Sequence, residues 1–511
     1  MPNTESRTSK VFTNIKVAVL FYAVNLLLQF VSRKVFIDHL GAEVLGLNTT
    51  ASNLLGFLNI AELGVGAAVA VNLYKPIYEN DRNAINSIVS VQGWLYRKVA
   101  WIVIAGAAVM MCFFPMIFEK ADVPLWYTYG SFGVLLLSSL LGYFVNYRQI
   151  VLTADQKEYK VTIATQSVRI TKVILQVLAV YFLEHGYVWW MGLEAIFVFV
   201  TAYALDRTIK KEYPWLKTNV SKGNELSKEY SAVITKTKQV FFHKIGGFVL
   251  TQTTPLVIYG FTSLTLVAIY GNYLVIVNGL KYLVDAMLNG MTASVGNLVA
   301  EGNKERIKGV FWELTSVRMW IAAILCVSFY MLADSFVSLW VGPDYILPGS
   351  ALIVLTLNTF IFLSRTNDAF INAYGLFQDI WAPVAEAALN LGLSILLGHF
   401  FGLTGVLAGV CISQLLIIYT WKPIFLYWKG FKEKFTEYPL RYLKYLSILA
   451  ISFVACRWIL NNTILMQFNT FLMWVVAAIL TVSIYSVLSA TILIITDKPF
   501  RYVLKRIVKL N

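Results

Sequence analysis

At 511 residues the chain is as long as about three soluble domains, yet 58% of it is hydrophobic and only 14% is charged, too few polar residues to coat several globules. A mean hydropathy of +0.66 and 15% aromatic residues exclude disorder, a collagen-like fibre and a secreted disulfide scaffold. The composition is that of a polytopic membrane protein, and stretches such as 101–111 and 472–495 are apolar on every face, so the spans are helices rather than barrel strands.

A bilayer crossing takes about 20 apolar residues. On that scale spans are predicted at 15–36, 44–72, 90–114, 124–147, 161–183, 187–206, 240–261, 265–290, 317–340, 347–372, 380–400, 403–427, 441–460 and 467–496, fourteen in all. The first has no small-residue cleavage site and is read as a span rather than a signal peptide. Alternate loops differ in charge. Counting the N-terminus as cytoplasmic, the inside segments hold 30 of the 42 Lys and Arg residues, including the eight from Arg207 to Lys238. The opposite loops hold Lys120 with the acids Asp38, Glu43, Glu119, Asp122, Glu184 and Asp344. Both termini are therefore expected in the cytoplasm. The net charge of +14 is divided among short loops, which suits orientation and attraction to anionic membrane lipids, and no nucleic-acid partner is expected.

The outer loops are short, which argues against glycosyltransferases and polysaccharide polymerases. GxxxxGK[ST], HExxH and GxSxG are absent. Cys112, Cys326, Cys411 and Cys456 each stand alone in an apolar run and are read as buried thiols. No metal, cofactor or enzymatic activity is expected.

The chain reads as a duplication. A shift of 222 lays 45–58 over 267–280 and the acidic-basic turn 79–85 over 301–307, and a shift of 219 lays Thr153 and Ala154 over Asn372 and Ala373. Six spans separate the halves, so the repeat is parallel. The predicted fold is an all-α polytopic membrane protein with two parallel six-helix lobes around a central cavity and two extra C-terminal helices. Its parts are an N-lobe at 1–206, a basic cytoplasmic linker at 207–239, a C-lobe at 240–430, and the last two spans with a basic tail at 431–511.

The stretch FIDHLGAEVLGLN at 36–48, followed by NIAELGVGAA at 59–68 and LYKP at 73–76, resembles the opening of bacterial polysaccharide repeat-unit flippases of the multidrug/oligosaccharidyl-lipid/polysaccharide (MOP) exporter superfamily. The resemblance implies a multi-pass protein of the bacterial inner membrane. It would move undecaprenyl-diphosphate-linked oligosaccharides to the outer leaflet by alternating access, for O-antigen, capsule or exopolysaccharide assembly. It also implies a polysaccharide polymerase and a chain-length regulator as partners.

An ionisable side chain inside a span costs roughly 3 kcal/mol or more unless it is paired, wet or able to snorkel. Asn25, Gln29 and Arg33 form one stripe of span one with Lys34 alongside, facing either a lumen or the outer surface. Span two carries Asn48, Ser52, Asn59 and Glu62 on one face. Span eight carries Asn278, Lys281, Asp285 and Asn289, where Lys281 and Asp285 are either a structural salt bridge or a cavity pair. Span seven opens with Gln239, His243 and Lys244 and contains Pro255, which permits a kink. Arg365, Asn367 and Asp368 in span ten lie at a cavity or at the cytoplasmic boundary. Arg97, Arg169, Lys172 and Arg318 are expected to snorkel, and Glu194 and Glu386 stand alone. The candidate substrate-binding set is Asn25, Gln29, Arg33, Lys34, His243, Lys244, Lys281 and Arg365, with Glu62 and Asp285 as an ion-coupling or cavity pair. Bases dominate it, which suits a diphosphate better than a cationic drug. The alternatives are a drug or small-amphiphile exporter of the same superfamily and a membrane enzyme of polysaccharide assembly.

Overall fold

A computed structural model describes residues 7–62, 64–376, 379, 381–462 and 470–509. All regular structure among these residues is helical. In chain order the long helices are α1 (Arg7–Leu58), α2 (Val65–Glu79), α3 (Arg82–Cys112), α4 (Leu125–Phe144), α5 (Glu158–Phe182), α6 (Gly186–Glu212), α7 (Ser231–Phe261), α8 (Leu264–Glu301), α9 (Lys304–Trp340), α10 (Gly349–Leu363), α11 (Asn367–Ala373), α12 (Trp381–Gln414), α13 (Glu437–Asn461), α14 (Phe471–Thr496) and α15 (Lys498–Lys509).

Eleven segments among the described residues are long and apolar enough to cross a bilayer. Two of them, Thr13–Glu62 and Trp381–Phe431, run to 50 and 51 residues, each more than twice the roughly 20 needed for one crossing. Each is interrupted by a glycine outside helical geometry: Gly41 at φ 84° and Gly402 at φ 54°. These glycines fall where the sequence places the 36–44 and 400–403 turns. The second expected span, 44–72, is too long. Its helix ends at Leu58, turns through Asn59–Glu62, and restarts at Val65 after Gly64 at φ 94°. Span ten is likewise broken, between α10 and α11. By contrast α7 runs through Pro255 as one helix.

By packing, residues Met1–Ala268 form one compact unit and Ile269–Asn511 the other. Helix α7, placed by sequence at the start of the second lobe, packs on α1 and α2 of the first unit. Within that unit α5 and α6 pair along their length, and α5 also lies on α1. One end of the pair is clamped by Lys157, 2.6 Å from both Asp155 and Glu212, while Tyr213 donates to Asp155 at 2.8 Å. Burial alone would lower the Lys157 ammonium pKa, but the two carboxylates raise it above its ordinary value. In the second unit the core is aromatic, with Phe311, Trp312, Phe370, Tyr427, Tyr445 and Tyr485 almost fully buried. Of the four cysteines, Cys326, Cys411 and Cys456 are buried, whereas Cys112 is exposed at the end of α3, a correction to the sequence reading.

The offsets of the sequence repeat recur in how helices end. After α2, Asn80 turns left-handed at φ 54°, and Asp81 caps α3 by accepting from the Ala84 amide at 3.0 Å. After α8, Gly302 does the same at φ 75°, and Asn303 accepts from the Arg306 amide at 3.1 Å. The offset is the 222 residues of the sequence repeat. At the 219 offset, Gln156 (φ 60°) and Gly375 (φ 65°) close two further helices. The amides of Lys157 and Leu376 bond back to the carbonyls of Leu152 and Ile371 at 2.8 and 3.0 Å, the six-to-one bond of a left-handed helix terminus.

The two arms of α12 meet where glycine leaves room. A Cβ at Gly405 would lie 1.9 Å from the Leu397 carbonyl oxygen, and one at Gly409 would lie 2.3 Å from the Ser394 nitrogen. Ser394 also donates to the Val406 carbonyl at 2.9 Å across the same contact. Gly405→Ala or Gly409→Ala should therefore force the arms apart at a cost of about 1 to 3 kcal/mol. Each should lower the melting temperature of the detergent-solubilised protein. Gly392→Ala, on the same helix with nothing within 4 Å of its Cβ, should leave it unchanged, and equal losses for the three would refute the close-approach account.

Candidate functional site

In the first unit, α5 presents Arg169, Lys172 and Gln176 on one face, at helical spacings of three and four. Glu194 of the adjacent α6 meets them. Lys172 Nζ lies 2.6 Å from Glu194 Oε1, and Gln176 Nε2 donates to Glu194 Oε2 and to the Trp190 carbonyl, both at 3.0 Å. Helix α1 contributes Gln29, Arg33 and Asn48, closing a cavity of about 270 Å³. Arg33 donates to the Ala268 carbonyl at 2.9 Å. Asn25 donates to Gln166 Oε1 at 3.1 Å, so the predicted stripe does face α5. Asn48 Oδ1 accepts from Tyr187 at 2.9 Å, while its buried Nδ2 has no partner among the described residues.

Three expectations change here. Lys34 does not join the cavity lining: it forms an exposed ion pair with Asp38 one turn on, at 2.8 Å. Arg169 and Lys172 do not snorkel but line the cavity, and Glu194, unassigned by sequence, is the Lys172 partner. Glu62 lies apart from this cavity. It accepts from Tyr96 at 2.9 Å, next to Asn59, which accepts from Ser139 and Tyr143 at 3.0 and 2.9 Å.

In the second unit Lys281 and Arg365 come together on one aromatic ring. The Lys281 ammonium is 4.4 Å and the Arg365 guanidinium 3.9 Å from the centroid of Phe362, within the range of cation–π attraction. Asp368 stands 3.6 Å from Arg365 Nε and 2.7 Å from Lys422 Nζ. Arg318 Nε donates to the Leu363 carbonyl at 2.7 Å, beside the same turn. The expected Lys281–Asp285 contact pair does not form: Asp285 is exposed and, among the described residues, no carboxylate lies within salt-bridge distance of Lys281, although the Asp285 charge still acts on it. The Arg365 Nε, at 3.6 Å from Asp368 too distant for a hydrogen bond, is a buried donor with no acceptor among the described residues. Next to the cluster, Trp421 donates to the loop carboxylate of Asp379 at 3.1 Å, and burial pushes the Asp379 carboxyl pKa up. His243 and Lys244 lie outside the residues whose side chains the structure describes.

Sequence reasoning missed Arg169, Lys172, Gln176, Glu194, Arg318 and Lys422 as site residues. One signal was present: Lys172 and Glu194 lie at equal distances either side of Leu183, in the turn between α5 and α6, as partners across a helical hairpin do.

No family model matches the chain, and no curated protein sequence does either. Solved structures do match. One is a multidrug resistance MATE family transporter of the MOP superfamily in an inward-facing conformation, with a TM-score of 0.61 and 15% identity over 78% of this chain and 94% of that one. Another is the lipid II flippase MurJ in an inward closed conformation, with a TM-score of 0.63 and 12% identity over 93% of this chain and 99% of that one. The chain shares the fold of these two structures. That fold and the eleven apolar crossing segments among the described residues make this a multi-pass membrane protein.

Because Arg318 is partly buried and holds a carbonyl, Arg318→Ala should remove a charge-assisted hydrogen bond worth about 1.5 to 3 kcal/mol. The thermal stability of the solubilised protein should fall measurably. Arg97→Ala, at an exposed position on α3, should leave it nearly unchanged, and the opposite ranking would return Arg318 to the boundary role.

Proposed function

We propose that the protein is a flippase for undecaprenyl-diphosphate-linked oligosaccharides, acting by alternating access in surface polysaccharide biosynthesis. The observation that carries this reading is the pair of bases on Phe362: Lys281 and Arg365 sit over one ring, and no carboxylate pairs with Lys281 among the described residues. Two like charges in an apolar setting repel, and an anion between them relieves the repulsion. A diphosphate supplies two negative groups and several acceptor oxygens for the Lys ammonium and the unspent Arg365 donor. The first-unit cavity has the same sign, with Arg33, Arg169 and Lys172 against Glu194 alone. The sugar crosses in such wet, polar surroundings while the polyprenyl tail stays in lipid, so hydroxyls never meet hydrocarbon. The charge pattern of the loops supports cytoplasmic termini in a bacterial inner membrane, and a polysaccharide polymerase and a chain-length regulator are the partners this reading calls for.

The likeness to a multidrug resistance transporter supports a second reading, export of a drug or small amphiphile. The two separate in a deletion strain. The flippase reading expects loss of one surface polysaccharide and accumulation of its lipid-linked repeat unit on the cytoplasmic side. Normal polysaccharide with raised sensitivity to cationic drugs would decide for the exporter.

In the complemented strain Lys281→Ala and Arg365→Ala should each lower transport by roughly tenfold or more, the equivalent of about 1.5 to 3 kcal/mol of charge-assisted bonding. Arg365→Lys should recover only part of the loss, because it keeps the charge without the fork. Lys34→Ala, outside both clusters, should transport normally. Full activity of the Lys281 and Arg365 variants at normal membrane levels would remove diphosphate binding from this site.

A further inference from the structure

We infer that Glu194 is a built-in competitor for the anionic group of the substrate, occupying the first-unit base cluster when the cavity is empty and giving up Lys172 when an anion enters. This rests on the proposed transport of a diphosphate-bearing lipid. The geometry is that of a carboxylate already bound: one oxygen sits 2.6 Å from the Lys172 ammonium and the other accepts from the Gln176 amide at 3.0 Å. Both side chains of the ion pair are largely withdrawn from solvent, with relative exposures of 19% and 14%, and they line a cavity that also receives Arg33 and Arg169. A phosphate oxygen offers Lys172 and Gln176 the same kind of acceptor as Glu194, and a diphosphate adds oxygens that reach Arg169 as well.

The arrangement answers two opposed demands. An uncompensated ammonium in so buried a place is strongly destabilising, so Lys172 needs a partner while the site is empty. A partner that could never be displaced would leave no free base for the substrate. Gln176 holds Glu194 through a neutral amide and a second oxygen, so the carboxylate keeps a hydrogen-bond donor after Lys172 turns to the anion. The internal carboxylate thereby lowers affinity for the headgroup, which favours its release once the cavity opens on the far side.

The test is binding of inorganic pyrophosphate, in magnesium-free buffer, to the full-length protein in lipid nanodiscs. Glu194→Gln should bind it about tenfold more tightly than the unsubstituted protein, since competition by one charge-assisted contact is removed. Its melting temperature should be lower without pyrophosphate and should rise further on adding it. The double variant Glu194→Gln with Lys172→Met should lose the gain, which ties it to Lys172. Equal or weaker binding by Glu194→Gln, or no binding by either protein, would overturn the inference and leave Glu194 as a fixed structural partner. If Glu194→Gln does not fold, Glu194→Asp, with its shorter reach to Lys172, carries the same test: tighter binding supports the inference and unchanged or weaker binding overturns it. A deletion strain with normal surface polysaccharide would instead sink the transport reading, independently of the pyrophosphate result.

Discussion

A helix in hydrocarbon has no water with which to satisfy a charge, and that constraint organises the buried bases of this protein. An acid paired with each base would give a stable bundle with a neutral interior. Bare bases would give an interior that attracts anions but does not assemble. The protein mixes three weaker devices. Arg33 and Arg318 spend donors on the backbone carbonyls of Ala268 and Leu363, Lys281 and Arg365 lie over the Phe362 ring, and Lys172 and Lys422 take carboxylates, Glu194 and Asp368. Carbonyls and rings carry no net charge, so they hold a cation in place without cancelling it. Positive charge therefore survives inside both units.

The positions of these devices do not follow the sequence repeat. Helix ends repeat at offsets of 222 and 219 residues, with a left-handed residue at the same place and the same terminal bond, whereas the polar residues between them do not repeat. A helix terminus is fixed by backbone hydrogen bonding and by one or two residues that tolerate positive φ or cap an amide, and such requirements persist in both copies. A charged side chain is fixed by what faces it from another helix, and that has diverged. The first unit carries its bases mainly on α1 and α5, and the second carries them on α8, α9 and the break between α10 and α11.

This difference also sets what the sequence could show. Crossing segments, the hairpin turns at Gly41 and Gly402, and the turns at Asn80 and Gly302 were legible because each depends on residues close together in the chain. The stripe of Asn25, Gln29 and Arg33 was legible for the same reason: helical spacing alone puts those side chains on one face. Lys281 and Asp285 show the limit of that logic. Their four-residue spacing permits a salt bridge, but the Lys281 ammonium lies over Phe362, far along the chain, and Asp285 acts on it only from a distance. Snorkelling was assigned to Arg169, Lys172 and Arg318 from their depth in a span, a one-dimensional criterion that does not register the neighbouring helix. Glu194 was unassigned until the α5–α6 hairpin set it opposite Lys172.

The aromatic ring has a consequence for how a site of this kind can empty. A carboxylate bound to a base must be outcompeted, and a ring need not be, because its attraction to a cation is compatible with an anion on the cation's other side. At the Phe362 pair the nearest carboxylate, Asp368, stands off at 3.6 Å from Arg365, whereas at the Lys172 site Glu194 is in direct contact at 2.6 Å. The two clusters therefore hold their positive charge in different ways, one against a ring and one against a carboxylate.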